Sequence, residues 1–408
     1  MNLKLSIQAE ENKIARFNTV IYAICQALGN SATIVNIALG GLAGSYLLAA
    51  DKSLATAPVT SFNLGVALGA LPAAMLTRWL GRKYGFLSGL LVGFIGLMVS
   101  TYALMEQSFI LFCIGVLLNG IGGGFNQQYR FAAADHGTPQ VRERAISLVL
   151  VGGIVAAMIG SPIVIFTRDL FLPVHFAGAF FSVSAMLLLS MVVMSFLKTR
   201  NIRQDEEPET LEPPRPLRQI ITQPRFIVAV LCGTLTYALM SFVMTGAPLA
   251  MVGCGISVDN ATLGIQWHVF AMFGPSFVTG NLINRFGKER IVATGMALLI
   301  ICAIVALSGL ELWRFWLSLI LLGVGWNFGF IGSTAMVTDT YRPSEKNKTQ
   351  GANDFILFSS VAFASLMSGY VFNNYGWNAI NYIIFPTVAI SISALIWLLL
   401  LDRKQQNI

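Results

Sequence analysis

Residues 225–252 read RFIVAVLCGTLTYALMSFVMTGAPLAMV, an apolar stretch whose single charged residue stands at its start. A helix of roughly 20 residues crosses a hydrocarbon core about 30 Å thick, so this stretch is long enough to span a bilayer. Eleven further stretches of the same kind occur at residues 17–42, 57–80, 85–105, 108–132, 145–167, 171–197, 260–284, 290–310, 313–337, 350–372 and 378–401. The pattern predicts an all-α membrane protein with twelve transmembrane helices.

The composition agrees with a chain that lies mostly in lipid. Hydrophobic residues make up 55% of its 408 residues, and charged residues make up only 11%. An average soluble domain carries about 25% charged residues, so the composition excludes an ordinary soluble protein. The polar residues before the first span show no cleavage-site pattern, and we expect no secretory signal peptide.

The basic residues lie almost entirely in alternate connecting loops. Of the 26 Lys and Arg residues, the opposite loops hold only Lys52, Arg168 and Arg314. The positive-inside rule then predicts that both termini lie in the cytoplasm. We expect a multi-pass protein of the bacterial inner membrane. This topology and contact with anionic lipid headgroups account for the net charge of +7. We therefore expect a lipid bilayer as a partner, and no nucleic acid.

Cysteine and histidine do not indicate a chemical centre. The five cysteines are scattered singly along the chain, and the three histidines do not cluster. Neither set has the spacing of metal ligands or of a disulfide framework. The spans also lack the combination of nucleophile, base and acid that is typical of an enzyme. We expect no metal, no cofactor and no enzymatic activity.

The chain contains an internal duplication. Asp135 is followed by Pro139 and two arginines, and Asp339 is followed at the same spacing by Pro343 and two lysines. The two segments lie 204 residues apart, half the chain length. Such an offset is typical of transporters built from parallel repeats. The sequence predicts one six-helix bundle at 1–197, a second at 225–408, and an acidic, proline-rich cytoplasmic linker at 198–224.

A second repeated motif follows spans two and eight. The first copy reads ALPAAMLTRWLGRK and ends at Lys83, and the second reads GNLINRFGKER from Gly280 to Arg290. Together with six plus six spans, these motifs resemble the major facilitator superfamily, whose loops carry G-x3-D-R-x-G-[RK]. Asn284 stands where the family has aspartate, and in the first copy Arg78 replaces it.

The resemblance implies that two bundles alternate access to a central site and are gated by their loops. We predict as gating residues Arg78, Gly81, Arg82, Asp135, Arg142, Asn284, Arg285, Gly287 and Asp339. Because the first copy of the motif lacks its aspartate, Asp135 is the candidate partner of Arg78 or Arg82.

Polar residues within the apolar stretches form stripes at helical spacing. Tyr22, Gln26 and Asn30 share one face of the first span, and spans four, seven and ten carry comparable residues. The resemblance places these four spans around the central cavity. The predicted substrate-binding residues are Tyr22, Gln26, Asn30, Asn119, Asn126, Tyr129, Tyr237, Ser241, Gln266, Trp326, Asn327 and Asn353. The alternative is structural, because hydroxyls bond back to their own helix and asparagines join helices.

Asp354 is the predicted energy-coupling residue, because it lies one to two turns inside span eleven. Desolvation there favours the neutral carboxyl, which can bind and release a proton as access alternates. Arg130 is predicted to pair with Asp354 or with an anionic substrate group, and His268 to titrate near neutral pH. The alternatives are an aspartate fixed by Asn353 or a cation, an arginine paired with Asp135, and a histidine that only gates.

The sequence predicts a secondary-active, proton-coupled transporter of a small organic solute, expected to act as a monomer. Aromatic and amide groups in the spans favour a planar or amphipathic solute. Drug or metabolite efflux by proton antiport is the leading interpretation, and uptake of a vitamin-like or other nutrient is the alternative. A non-transporting membrane receptor or a membrane-embedded enzyme remains the alternative from another class.

Overall fold

The computed structural model of the protein describes residues 2–49, 51–133, 139–198 and 214–406, which form fifteen α-helices and one 3-10 turn. The helices before the linker are α1 Asn2–Leu47, α2 Ala57–Trp79, α3 Gly81–Met105, α4 Phe109–Asn126, α5 Tyr129–Ala133, α6 Pro139–Thr167 and α7 Ala177–Ser195. The others are α8 Leu217–Ile221, α9 Pro224–Gly253, α10 Val258–Phe273, α11 Ser276–Phe286, α12 Lys288–Leu307, α13 Leu312–Thr338, α14 Lys346–Tyr382 and α15 Ile384–Gln406.

Helical residues occupy all twelve predicted spans, and the predicted all-α membrane architecture is confirmed. Ten helices in the described ranges are long and apolar enough to cross a membrane, and α6 contributes the shorter apolar stretch Val151–Thr167. Span eight is divided into α10 and α11 at Gly274–Pro275, because proline has no N–H to continue the helical hydrogen bonds. Gly376, with φ 77°, interrupts α14 close to the predicted boundary between spans eleven and twelve.

The chain forms two compact units. Unit 1 comprises Met1–Asn201 and Ser257–Val269, and unit 2 comprises Ile202–Ile256 and Phe270–Ile408. The first part of α10 thus groups with unit 1, although it follows the predicted linker in sequence. Within the predicted linker, the described residues from 214 onward include the short helix α8, whose Ile220 is fully buried.

In unit 1, α1 packs along α6 and α7, while α4 packs against both α2 and α3. Helices α3 and α4 approach so closely that a Cβ added to Gly96 would lie only 2.4 Å from the backbone nitrogen of Asn119. The absence of a side chain at Gly96 permits this approach. Asn119 also joins three helices: its Oδ1 accepts from Asn36 Nδ2 at 2.8 Å, and its Nδ2 donates to the Gly93 carbonyl at 3.2 Å.

A charged cluster lies between the end of α6 and the start of α10 in unit 1. The Arg168 guanidinium donates to Asp259 and, at 3.1 Å, to Asp169. Asp169 Oδ1 lies 3.1 Å from His175 Nδ1. These contacts fasten the first turn of α10 to unit 1.

In unit 2, α9 packs against α13, α14 and α15, and α12 packs along α13. The residues before α9 are held by a buried carboxylate. Glu345, whose side chain is fully buried, accepts from Arg215 Nε at 2.9 Å, Arg215 Nη2 at 2.7 Å and the Arg215 backbone N–H at 2.6 Å. The Arg342 backbone N–H adds a fourth bond at 3.0 Å. We call this group the Glu345 clasp.

A second charged group lies at the N-terminal end of α9. Arg225 Nη2 lies 2.6 Å from Glu289 and 3.2 Å from Asp339, and its Nη1 lies 3.7 Å from Asp402. Lys288 Nζ donates to Asp339 as well. These contacts tie the ends of α9, α12, α13 and α15 together.

The Glu345 clasp makes stability depend on pH. Hydrogen bonds from the Arg215 guanidinium hold the pKa of Glu345 well below its ordinary value of 4.5. A lowered folded-state pKa means that the carboxylate stabilises the fold fully above about pH 4.5, and that this contribution is lost as the pH falls further.

We expect Glu345→Gln to lower the apparent melting temperature of the detergent-solubilised protein at pH 7, because a neutral amide cannot replace a buried carboxylate held by a guanidinium. The difference from the wild type should shrink between pH 5 and pH 3 in thermal unfolding scans. The matched control is Glu311→Gln, since Glu311 is an exposed partner of Arg314 and should have little effect. Equal melting of Glu345→Gln and wild type at pH 7 would contradict the clasp's role.

Candidate functional site

Unit 2 places an aromatic cluster on the facing sides of α9 and α13. The rings of Trp326 and Phe330 are stacked, with centroids 5.0 Å apart and an interplanar angle of 16°. Tyr237 stands edge-on to both, at 5.3 Å from Trp326 and 5.2 Å from Phe330. Phe273 and Phe358 lie at the margin of this group, 6.2 Å from Trp326 and 6.1 Å from Tyr237 respectively. We call these five residues the aromatic cluster.

Several buried polar atoms near this cluster lack a hydrogen-bond partner among the described residues. They are the indole Nε1 of Trp326, the hydroxyls of Ser241 and Thr245, which follow Tyr237 on α9 at steps of four, and the hydroxyls of Thr234 on α9 and Ser333 on α13. Trp326 is 6% exposed, and Ser241 and Thr245 are each 2% exposed. A buried polar group without a partner costs roughly 1–3 kcal/mol, so these atoms indicate a site that a ligand or water completes.

Asn327 has a different environment from its neighbour Trp326. Its Nδ2 donates to the Met272 carbonyl at 2.6 Å and to Ser276 Oγ at 2.7 Å, and its Oδ1 accepts from Thr279 at 2.6 Å. Those partners stand on both sides of the Gly274–Pro275 break. The Asn327 side chain therefore braces the divided span eight from α13, and its predicted contact with substrate stays a prediction.

Unit 1 carries a smaller aromatic group, formed by side chains of α1, α3 and α5. Tyr22 stacks on Tyr129 at 5.9 Å, and Phe86 meets both rings edge-on, at 5.8 Å from Tyr22 and 4.9 Å from Tyr129. Tyr129 is fully buried, and its hydroxyl has no hydrogen-bond partner within the described part of the chain. The predicted residues Tyr22 and Tyr129 are thus brought into direct contact.

Two carboxamides accompany this group. Gln26 and Asn126 are 8% and 4% exposed, and Gln26 Oε1 and Asn126 Oδ1 accept no hydrogen bond from any described residue. Asn126 lies against Gly29, because a Cβ added to Gly29 would stand only 2.1 Å from Asn126 Nδ2. A cavity of about 10 Å³ beside Gly29, Thr33 and Asn126 has room for about one water molecule. Asn30, on the same stripe of α1, is half-buried.

The three predicted coupling residues belong to different units. Asp354, in unit 2, is exposed on α14, and its carboxylate accepts from Asn353 Nδ2 at 2.9 Å. Arg130 and His268 belong to unit 1. The Arg130 guanidinium lies over the Phe131 ring at 4.7 Å. The His268 ring is fully buried, and Gln266, two residues before it, is half-buried.

The predicted gating glycines have the backbone that their positions require. Gly81 and Gly287 have φ of 78° and 90°, a region that side-chain-bearing residues rarely adopt. Arg82 and Arg285 lie over Phe86 and Phe286, at 6.0 Å and 5.2 Å. Asp339 joins the charged group at the end of α9, whereas Arg78 and Asn284 are exposed. Asp135 and the side chain of Arg142 lie outside the described residues.

Sequence reasoning missed the Glu345 clasp, the Arg168–Asp259 pair and the role of Gly29. All three depend on contacts between residues far apart in the chain, and the sequence alone carries no local signal for them. It also missed a cavity of about 630 Å³ in unit 2, bordered by α9, α14 and α15 and including Thr234, Ser359, Ser360 and Thr387.

The many long apolar helices define a multi-pass membrane protein. The sequence profile of the Major Facilitator Superfamily matches residues 19–307 and 268–407, so the chain belongs to this superfamily. The predicted resemblance is confirmed.

Related sequences support this assignment, and solved structures share the fold. The chain is 50% identical over 383 residues to the riboflavin transporter RfnT of Brucella anthropi, covering 94% of this chain and 96% of that one. It is 28% identical over 378 residues to the uncharacterized MFS-type transporter YddS of Bacillus subtilis, covering 89% and 86%. A point mutant of the nucleoside transporter NupG aligns with a TM-score of 0.66 at 13% identity, covering 92% of this chain and 98% of NupG. The human organic anion transporter MFSD10 aligns with a TM-score of 0.66 at 14% identity, covering 93% and 99%.

We expect Asn327→Leu to destabilise unit 2 by roughly 1–3 kcal/mol, because the Met272 carbonyl would lose its partner in a buried position. Thermal unfolding in detergent, followed by circular dichroism, measures the loss. Asn373→Leu is the matched control, since Asn373 is exposed on α14. An Asn327→Leu variant as stable as this control would show that the brace has no energetic role.

Proposed function

We propose that this transporter carries riboflavin, or a closely similar planar heteroaromatic solute, into the cell. The observation that carries the proposal is the 50% identity, across 94% of the chain, to a protein named for riboflavin transport. Riboflavin is a vitamin, so this relationship favours nutrient uptake, the alternative interpretation of the sequence, over efflux.

The aromatic cluster supports a solute of this chemistry. A flat tricyclic ring offers two apolar faces for contact with Trp326, Phe330 and Tyr237, and each aromatic pair contributes roughly 0.5–1.5 kcal/mol beyond its buried area. The ring edge carries carbonyl and nitrogen acceptors. The indole N–H of Trp326 and the Ser241 hydroxyl are donors without acceptors within the described ranges.

The proposal extends to energy coupling and topology. Proton movement through Asp354, with Arg130 and His268 as further titrating or charged partners, would drive accumulation by alternating access. Asp354 is a carboxylate within an apolar helix, and its neighbour Asn353 holds one of its oxygens. We propose a monomer in a bacterial inner membrane, with both termini in the cytoplasm.

Substrate identity is tested by counterflow in proteoliposomes. Vesicles loaded with riboflavin should take up external labelled riboflavin in a saturable manner, while empty vesicles without protein should not. Flavin mononucleotide should move at about one tenth of the riboflavin rate or slower, because burying its phosphate charge without a dedicated cation costs more than about 1.4 kcal/mol. Absence of riboflavin counterflow would contradict the proposed function.

Coupling is tested with Asp354→Asn in the same vesicles. With an imposed proton gradient, the variant should no longer accumulate riboflavin, yet it should retain counterflow, which needs no net proton movement. Glu106→Gln is the matched control, because Glu106 is an exposed acid at the end of α3. Full gradient-driven accumulation by Asp354→Asn would refute this role.

A further inference from the structure

The cavity of about 630 Å³ in unit 2 lies between α9, α14 and α15, apart from the aromatic cluster. None of the five residues of that cluster is among the described residues that line the cavity. Its lining is mostly apolar and includes four hydroxyl groups, those of Thr234, Ser359, Ser360 and Thr387. The volume is in the range of small-molecule sites, roughly 300–1,000 Å³. We call this space the lateral cavity.

The lateral cavity opens on a surface that faces lipid. Two residues of its lining, Phe363 of α14 and Ile383 immediately before α15, are 65% and 38% exposed. Ile383 begins a row of exposed apolar side chains that continues at steps of seven with Ile390 and Trp397. Large apolar side chains along one face of a membrane-spanning helix lie against hydrocarbon, because contact with water is costly. A ligand of this cavity therefore enters from the bilayer.

The lining excludes a charged group. None of the described residues that line the cavity is acidic or basic. An ion taken out of water without a partner of opposite charge pays a desolvation cost of several kcal/mol. The part of a ligand that enters the cavity is therefore neutral.

One hydroxyl of the lining lacks a partner. Thr234 is 8% exposed, and its Oγ1 has no hydrogen-bond partner among the described residues. The hydroxyls of Ser360 and Thr387 donate to the carbonyls four residues before them, at 2.9 Å and 2.8 Å. Thr236, two positions after Thr234 on α9, donates to the Cys232 carbonyl at 2.6 Å. Thr234 does not make the bond to its own helix that these residues make, so its hydroxyl is a donor that needs an acceptor.

The depth of Thr234 limits what can supply the acceptor. It lies ten residues after Pro224, the first residue of α9, where Arg225 and its acidic partners form the charged end of the helix. At 1.5 Å per residue this distance is roughly 15 Å, about half the thickness of the hydrocarbon core. A phospholipid places only its acyl chains at this depth, and these have no acceptor. The acceptor therefore belongs to a molecule that dissolves in the interior of the bilayer.

We propose that the lateral cavity binds a neutral, lipid-soluble carbonyl compound. Its apolar body packs against Ala238, Phe242 and Phe363, and its carbonyl oxygen accepts from the Thr234 hydroxyl. The carbonyl is an acceptor without charge, which is the chemistry that the lining leaves open. This site is separate from the site of the transported solute, so the proposal does not depend on the proposed function.

The test uses two photoactivatable probes that differ only in a carbonyl group. One is a long-chain ketone with a terminal diazirine, and the other is the alkane of the same length with the same diazirine. The protein is labelled in phosphatidylcholine nanodiscs, and labelled peptides are located by mass spectrometry. The ketone should label the segments of α9, α14 and α15 that line the lateral cavity. The alkane should label them roughly three- to tenfold less, as expected for one hydrogen bond.

Two variants locate the interaction. Thr234→Val keeps the size of the side chain and removes the hydroxyl, so labelling by the ketone should fall to the level of the alkane, whose labelling should not change. Ala238→Trp fills the cavity and should abolish labelling of its lining by both probes. The matched controls are Thr294→Val and Ala293→Trp, because both residues are exposed on α12, and they should leave labelling unchanged. If Ala238→Trp does not fold, the isosteric Thr234→Val decides the question.

The outcomes are distinct. Ketone labelling that equals alkane labelling in the wild type, or that Thr234→Val leaves unchanged, would overturn the carbonyl ligand. If the two probes label the cavity equally and Ala238→Trp removes both signals, the occupant is an acyl chain and the proposal is wrong. Labelling spread evenly over all lipid-facing helices, and unaffected by Ala238→Trp, would overturn the cavity as a binding site.

Discussion

Hydrocarbon cannot form hydrogen bonds, and this constraint governs the placement of polar groups throughout the protein. A polar side chain on a membrane-spanning helix must find its partner inside the protein or in a wet site. Asn119 meets the constraint by joining Asn36 to the Gly93 carbonyl, and Asn327 meets it by bonding both sides of the Gly274–Pro275 break. Gln26, Asn126, Ser241 and Trp326 do not meet it with described residues, which makes them candidates for binding a ligand or water.

Charged groups follow the same rule with larger energies, because an unpaired buried charge costs more than an unpaired amide. Glu345 is fully buried only because four donors surround it, three of them on Arg215. Arg225 gathers acidic residues from three other helices at the start of α9. These contacts hold the ends of the helices that carry the aromatic cluster, and so they fix the α9–α13 pair on which the proposed ring recognition depends.

Much of the fold could be predicted from the sequence. Apolar length, charge asymmetry and the Asp135 and Asp339 repeats are local or additive properties, and they predict the twelve spans, the duplication and the superfamily. The helix breaks at Gly274–Pro275 and Gly376 are harder to predict from the sequence. Proline and glycine permit a break, but whether a helix continues across them depends on what packs beside it, as Asn327 does beside the divided span eight.

The candidate site could be predicted from the sequence only in part. By itself, the sequence determined which residues lie on polar stripes, because helical periodicity fixes the face that each side chain takes. Only the tertiary structure decided which stripe residues are already hydrogen-bonded. Asn119 and Asn126 lie two turns apart on α4 and are the same residue type, yet one bonds to α1 and α3 while the other keeps an acceptor without a donor in the described chain. The physical reason is that hydrogen bonds need a partner within about 3 Å, and the partners of Asn119 come from residues 36 and 93.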